Sequence, residues 1–151
     1  RPDMFILGKA LGGGVYPVSA ITTSKEIMDV FTPGTHGSTF GGNPLGAAVG
    51  IAALRVIRDE KLSERAHESG EYFMGALRAI DSPVVDHVRG KGLLVGIVLN
   101  TKARPYCEAL RDLGILAKET HENVIRFAPP LIITREELDW MLPRVEEVLK
   151  G

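Results

Sequence analysis

The stretch MFILGKALGGGVYPVSAITTS, residues 4–24, sets an apolar run against one lysine, Lys9, and three consecutive glycines, Gly12 to Gly14, before a second apolar run begins. Glycines in a row cannot pack side chains into a helix or strand, and they turn the chain in any direction. The pattern therefore predicts a short buried strand at MFILG, a second strand at PVSAITTS and a tight turn between them, with Lys9 at the end of the first. Two chemistries fit a lysine in that place. A phosphate-cradling P-loop requires its glycines before the lysine and a hydroxyl after it; here the glycines follow and Ala10 occupies the hydroxyl position, which removes that reading. An ammonium after four apolar residues is poorly solvated, and burial lowers a lysine's pKa and frees the amine as a nucleophile. On spacing alone, a solvated surface charge stays open as the alternative.

The rest of the chain is punctuated clearly. Residues Lys25 to Phe31 fit a short helix, and FTPGTHGSTFGGN, residues 31–43, is too rich in Gly, Pro, Ser and Asn for regular structure. Asn43 followed by Pro44 predicts a helix start: Asn caps free N–H groups, and Pro fits the first helical position. Leu45, Val49, Ala52, Ala53, Val56 and Ile57 then recur at helical spacing. RDEKL breaks the pattern, and a second helix is predicted over 62–80. From Pro83 onward VVDHV, LLVGIVL, GILAK and NVIRFAP predict short strands around a helix near Pro105 to Leu113. Thr134 and Glu137 form a capping box for a final amphipathic helix, which Pro143 is expected to kink or limit. The expected organisation is a strand-and-loop portion at 1–42, connecting helices at 43–82 and a small α+β unit at 83–151.

Composition narrows the function classes. The 151 residues carry 18 basic and 19 acidic side chains, with no basic cluster interleaved with aromatics, so the footprint of a nucleic-acid binder is missing. Cys107 is the lone cysteine, which excludes an internal disulfide framework and fits a reducing compartment, the cytoplasm or an organelle matrix. It falls in a helical segment and reads as packing rather than as a nucleophile. His36, His67, His87 and His121 are scattered without ligand spacing, and no metal site is predicted.

The segments PDMFILGKALGGGVYPVSA, GSTFGGNPL, RGKGLLVGI and VIRFAPPLIIT, in this order, together resemble the class III pyridoxal-phosphate-dependent aminotransferases, which handle ω-amino groups. The resemblance implies an α/β fold of type I, a homodimer and pyridoxal 5′-phosphate as cofactor. It places Lys9 at the lysine that holds the cofactor as a Schiff base and shuttles a proton. Ser38 and Thr39 match the hydroxyl residues that bind the cofactor phosphate across the dimer interface. Arg126 matches the arginine that forks a substrate carboxylate. As a residue between Ile125 and Phe127 on a short strand, it points opposite to both, toward a cleft or toward a structural ion pair. The runs PGTHGSTFGGNPL and LAKETHENVIRFAPPLIIT narrow the likeness to members that take the δ-amino group of L-ornithine and pass it to 2-oxoglutarate, with acetylornithine or 4-aminobutyrate as alternative donors.

Members of that family hold the cofactor's ring nitrogen with an aspartate on an earlier strand and stack the ring beneath an upstream aromatic. Eight residues precede Lys9, so the expectation is a C-terminal fragment: a remnant of the large domain followed by the small one, not catalytically competent alone. A noncatalytic folding or dimer-binding module is the alternative.

Overall fold

A computed structural model describes residues 1–151, and its internal contacts divide the chain into two units, Arg1–Glu60 and Lys61–Gly151. The two helices of the expected 43–82 connection thus fall one in each unit.

In the first unit, strand β1 (Met4–Leu7) pairs antiparallel with β2 (Ala20–Thr23), Met4 opposite Thr23 and Leu7 opposite Ala20. The second strand starts at Ala20 rather than Pro17, whose nitrogen has no hydrogen for the ladder. The burial expected of β1 is not found: Met4 is 42% and Ile6 78% exposed. Two strands alone supply no second layer, so an apolar run in them is wetted on both faces. Helix α1 (Lys25–Met28) is a single turn capped by the Ser24 hydroxyl, which accepts from the Ile27 N–H at 3.4 Å. The segment 31–43 is irregular and ends at Asn43, whose side-chain oxygen accepts from Gly46 N–H at 2.7 Å and opens α2 (Pro44–Asp59). Its buried positions are Gly46 and Gly50, whereas Leu45 and Val56 of the predicted apolar stripe are exposed. The small residues matter because the segment around Lys9 packs directly against them, the Tyr16 ring on Gly46 and the Leu11 carbonyl on Gly50.

The second unit begins where RDEKL was expected to break the helix. Lys61 takes a left-handed φ of 51° and α3 (Leu62–Arg78) follows. Four antiparallel strands, β3 (Val85–Lys91), β4 (Leu94–Leu99), β5 (Lys118–Thr120) and β6 (Val124–Phe127), form a sheet in the order β3-β4-β6-β5. Between them runs α4 (Arg104–Asp112), and α5 (Arg135–Lys150) closes the chain. The sequence predicts two helices on this sheet, and the structure adds a third: Phe73, Met74 and Leu77 of α3 join Leu110 of α4 and Leu138, Val145 and Leu149 of α5 over Val95, Ile97, Ile125 and Phe127. Phe73 meets Phe127 edge to face, with centroids 5.6 Å apart. The Tyr72 hydroxyl donates to Asp139 while the Arg135 guanidinium stacks on its ring, tying α3 to α5.

Two local expectations are corrected. GILAK is a strand only from Lys118: Gly114 (φ 84°) donates to Arg111 C=O at 2.9 Å and Ile115 to Leu110 C=O at 2.8 Å, so this segment is spent capping α4. Pro143 does not end the last helix, which runs on to Lys150. Leu138 before it and Val145 and Leu149 after it are all buried, and that anchorage on both sides outweighs the missing hydrogen bond. The capping box is formed, with Glu137 N–H donating to Thr134 Oγ1 at 3.2 Å and Thr134 N–H to Glu137 Oε2 at 2.8 Å.

Candidate active site

Lys9 leaves β1 and opens a 3-10 turn, Lys9–Gly12, with a left-handed φ of 48°. A side chain in that region costs roughly 1–3 kcal/mol and persists only where the surroundings hold it. Here the hold is visible. Gly13 N–H donates to Ala10 C=O at 2.9 Å, and Val15 and Tyr16 N–H both donate to Gly12 C=O. Gly13 and Gly14 themselves have φ of 61° and 77°. The turn lies on α2 where that helix lacks side chains. A Cβ at Gly46 would stand 3.1 Å from Tyr16 Cε1, and one at Gly50 would stand 3.7 Å from Leu11 C=O. Gly46, Gly50 and Ala53 thus form the bed of the lysine turn, which explains why the buried face of α2 is made of small residues.

The Lys9 side chain is exposed, not buried as its apolar neighbours suggest, and lines an open cavity of about 400 Å³ with Ala10, Gly14, Val15, Tyr16 and Pro17. A second cavity of about 570 Å³ shares Tyr16 and Pro17 and is lined by Ser38, Phe40, Gly41 and Asn43. Ser38 Oγ accepts from Gly41 N–H at 2.9 Å, which leaves its hydroxyl proton free to donate. Gly41 is obligatory for that closure, since a Cβ there would lie 2.8 Å from Ser38 Cβ. Thr39 is exposed at the crown of this loop and does not line the second cavity. Lys9 and Ser38 therefore flank a shared wall, Tyr16 and Pro17. Sequence reasoning misses Tyr16; its one signal is an aromatic two residues after the glycine triplet.

Arg126 belongs to the second unit. It is exposed on β6 between Ile125 and Phe127, both buried, as strand alternation requires. With Arg89, Lys91, Gly96, Thr120 and His121 it lines a cavity of about 380 Å³ on the sheet face turned away from the helices. Arg89 is the second residue there that sequence reading missed, although RGKGLL was noticed as a motif. Cys107 is buried on α4, where desolvation pushes its thiol pKa up, the wrong direction for a nucleophile.

An amine on an open cavity, a free hydroxyl and a glycine loop on an adjoining one, and an unpaired arginine on a sheet face are the donor types that an aldehyde-bearing phosphate ester and a carboxylate substrate require. The residues present fit pyridoxal phosphate. The chain belongs to the aminotransferase class-III family, whose sequence profile matches residues 1–149. Its curated relatives include ornithine aminotransferases of Bacillus subtilis, 60% identical over 99% of this chain, and of Staphylococcus carnosus, 64% identical over 97% of it. The chain spans 37% of the length of each. Among solved structures, ornithine aminotransferase from Toxoplasma gondii superposes with a TM-score of 0.93 at 42% identity, covering 98% of this chain and 37% of that one. Acetylornithine aminotransferase from Elizabethkingia anophelis gives 0.92 at 50% identity, covering 99% of this chain and 41% of that one. No helix is long and apolar enough to cross a membrane.

Proposed function

We propose that this chain is part of a pyridoxal-phosphate-dependent ornithine aminotransferase, which transfers the δ-amino group of L-ornithine to 2-oxoglutarate. The observation that carries this reading is the identity of about 60% with ornithine aminotransferases across nearly the whole chain. The 50% identity to an acetylornithine aminotransferase supports acetylornithine as the second candidate donor. A cytoplasmic, homodimeric enzyme is part of the reading. So is the organisation in which the first unit belongs to a larger cofactor-binding domain and the strand-rich second unit is a small C-terminal domain.

When bound, the cofactor supplies an electron sink for the carbon that carries the amino group. Lys9 would hold the cofactor through its Nζ, and the same amine, when free, would move a proton at that carbon. Its turn is locked by hydrogen bonds around the glycines and seated on α2, which fixes the backbone from which that amine would act. The Ser38 and Thr39 hydroxyls and the glycine-rich backbone around them bind the phosphate, with the loop reaching the neighbouring subunit's site. Arg126 orients the acid substrate by a forked pair of hydrogen bonds to its carboxylate.

The test is borohydride reduction of the full-length enzyme with pyridoxal phosphate, followed by peptide mass mapping. The expected result is a phosphopyridoxyl adduct on Lys9. An adduct on Lys25 or Lys91, with Lys9 unmodified, sinks the assignment.

A further inference from the structure

The four-stranded sheet carries a row of cations without carboxylate partners. Arg89 on β3 stands opposite Gly96 on β4, Gly96 opposite Arg126 on β6, and Arg126 opposite Lys118 on β5. Residues directly opposite on neighbouring strands share a face. The row therefore presents three positive side chains on one side of the sheet, the side away from Val95, Ile97, Ile125 and Phe127. At about 4.8 Å between strands, Arg89 and Arg126 have their Cα atoms about 10 Å apart. Between them is the one residue type that leaves the gap open. A Cβ at position 96 would sit 3.1 Å from Val124 Cγ1, so any longer side chain both crowds Val124 and fills the space.

Like charges across strands repel, so such a row needs a counter-charge. Three other arginines of this unit show what compensation by carboxylates looks like: Arg104 pairs with Glu108 and Glu119, Arg111 with Asp112, and Arg135 with Asp139, while Arg144 instead stacks on the Trp140 ring. Arg89, Lys118 and Arg126 make no such pair. Glu119 is next to Lys118 in sequence, but it is opposite Ile125, on the helix-covered face, where Arg104 holds it at 3.0 Å. Arg89 and Arg126 meanwhile line the same cavity. Two planar forks on either side of a glycine match the oxygens of a carboxylate, which each can bind bidentately.

We propose that Arg89 is a second carboxylate-binding residue, which with Arg126 forms a two-guanidinium cleft over Gly96 for a carboxylate of the acid substrate. This rests on the aminotransferase reading and extends it: Arg126 alone orients the acid, whereas the pair neutralises it and sets its affinity. Lys118, at the far end of the row, adds long-range attraction.

The probe is glutarate, a dicarboxylate with no amino or oxo group to react, titrated calorimetrically into full-length protein. Arg89→Gln is expected to weaken glutarate binding about tenfold or more, the loss of charge-assisted hydrogen bonds. Arg89→Lys is expected to fall between it and the parent, because charge is kept and the fork lost. In turnover, Arg89→Gln raises KM for 2-oxoglutarate more than it lowers kcat. The Arg89→Gln/Arg126→Gln double variant loses less than the product of the single losses, since both residues hold one anion. Unchanged glutarate affinity and KM in Arg89→Gln overturns the proposal, as does a lowered melting temperature with unchanged affinity, which assigns Arg89 to a structural ion pair. If Arg126→Gln loses glutarate and Arg89→Gln does not, this inference fails while the aminotransferase reading stands. If the parent neither binds glutarate nor transfers an amino group, both fail.

Discussion

Arg126 separates charge from geometry at the level of one side chain. It is exposed on its strand, lines a cavity and has no carboxylate partner within this chain's ion pairs, which leaves its guanidinium available to an anion from elsewhere. Replacing it by Lys keeps the charge but loses the planar fork. In the full-length enzyme, Arg126→Lys is expected to keep the visible spectrum of the bound cofactor while kcat/KM for 2-oxoglutarate falls about tenfold or more, a loss of roughly 1.4 kcal/mol. Steady-state kinetics beside an absorption spectrum checks this, and an unaltered kcat/KM would remove Arg126 from the carboxylate site. The alternation that points Arg126 outward was legible from VIRF, because a strand's period of two needs no tertiary information. For Lys9 only the position was legible. Its exposure and left-handed backbone depend on where α2 lies, and local sequence does not encode that. Arg89 was illegible as a site residue for a related reason: its neighbour across the gap is Arg126, thirty-seven positions on, and only the β3-β4-β6 register brings them into one row.

Among the elements, α3 shows how a helix read as a connector becomes part of a core. The sequence predicts a helix over 62–80 with no partner named; Leu62, Phe73, Met74 and Leu77 form its buried face, and periodicity alone does not say against what. The partner is the β3-β4 hairpin, and the contact is set by glycine. A Cβ on Gly70 would fall 2.1 Å from the carbonyl oxygen of Gly92, the turn residue of that hairpin, which itself has φ of 55°. No rotamer relieves a clash with backbone. Gly70→Ala is therefore expected to destabilise the second unit by about 1–3 kcal/mol, despite the higher helix propensity of Ala, because the helix must move off the sheet. Urea unfolding measures it. A stability gain of the size that propensity alone gives would mean that α3 and the hairpin are not in this contact. On α2 the fully buried positions are Gly46, against the Tyr16 ring, and Gly50, against the Leu11 carbonyl, while Val49, Ala53 and Ile57 of the expected stripe are partly buried and Leu45 and Val56 are exposed; sequence reading looks for large apolar residues and passes over such glycines. The caps, by contrast, were read correctly at Asn43 and Thr134, since each is decided within four residues.

Across the whole molecule, the two units differ in what they bury. The second has a continuous core drawn from three helices and a sheet, while the first leaves Phe5, Ile6, Ile21 and Val30 at half exposure or more. The chain spans 37% of its relatives' length, so the decisive measurement is on the full-length protein. One lysine and one cofactor serve both half-reactions of an amino transfer, so the amino donor must leave as its product before the acceptor enters. Double-reciprocal plots at several fixed 2-oxoglutarate concentrations are expected to be parallel, the signature of a ping-pong order. With ornithine, acetylornithine and 4-aminobutyrate offered separately, kcat/KM is expected to be highest for ornithine. The physical basis lies outside the two arginines of the sheet. All three compounds carry a carboxylate, so a pair of carboxylate-binding arginines would not discriminate among them. What separates ornithine is its free α-ammonium, which acetylation removes and 4-aminobutyrate lacks, and which requires an acidic or carbonyl partner. The described cavities around Lys9 and around Arg126 are lined by no carboxylate. Exchanging only this chain's segment between an ornithine and an acetylornithine aminotransferase is therefore expected to leave the donor preference with the remainder of the enzyme. A preference that travelled with the segment would place the selecting residue within it.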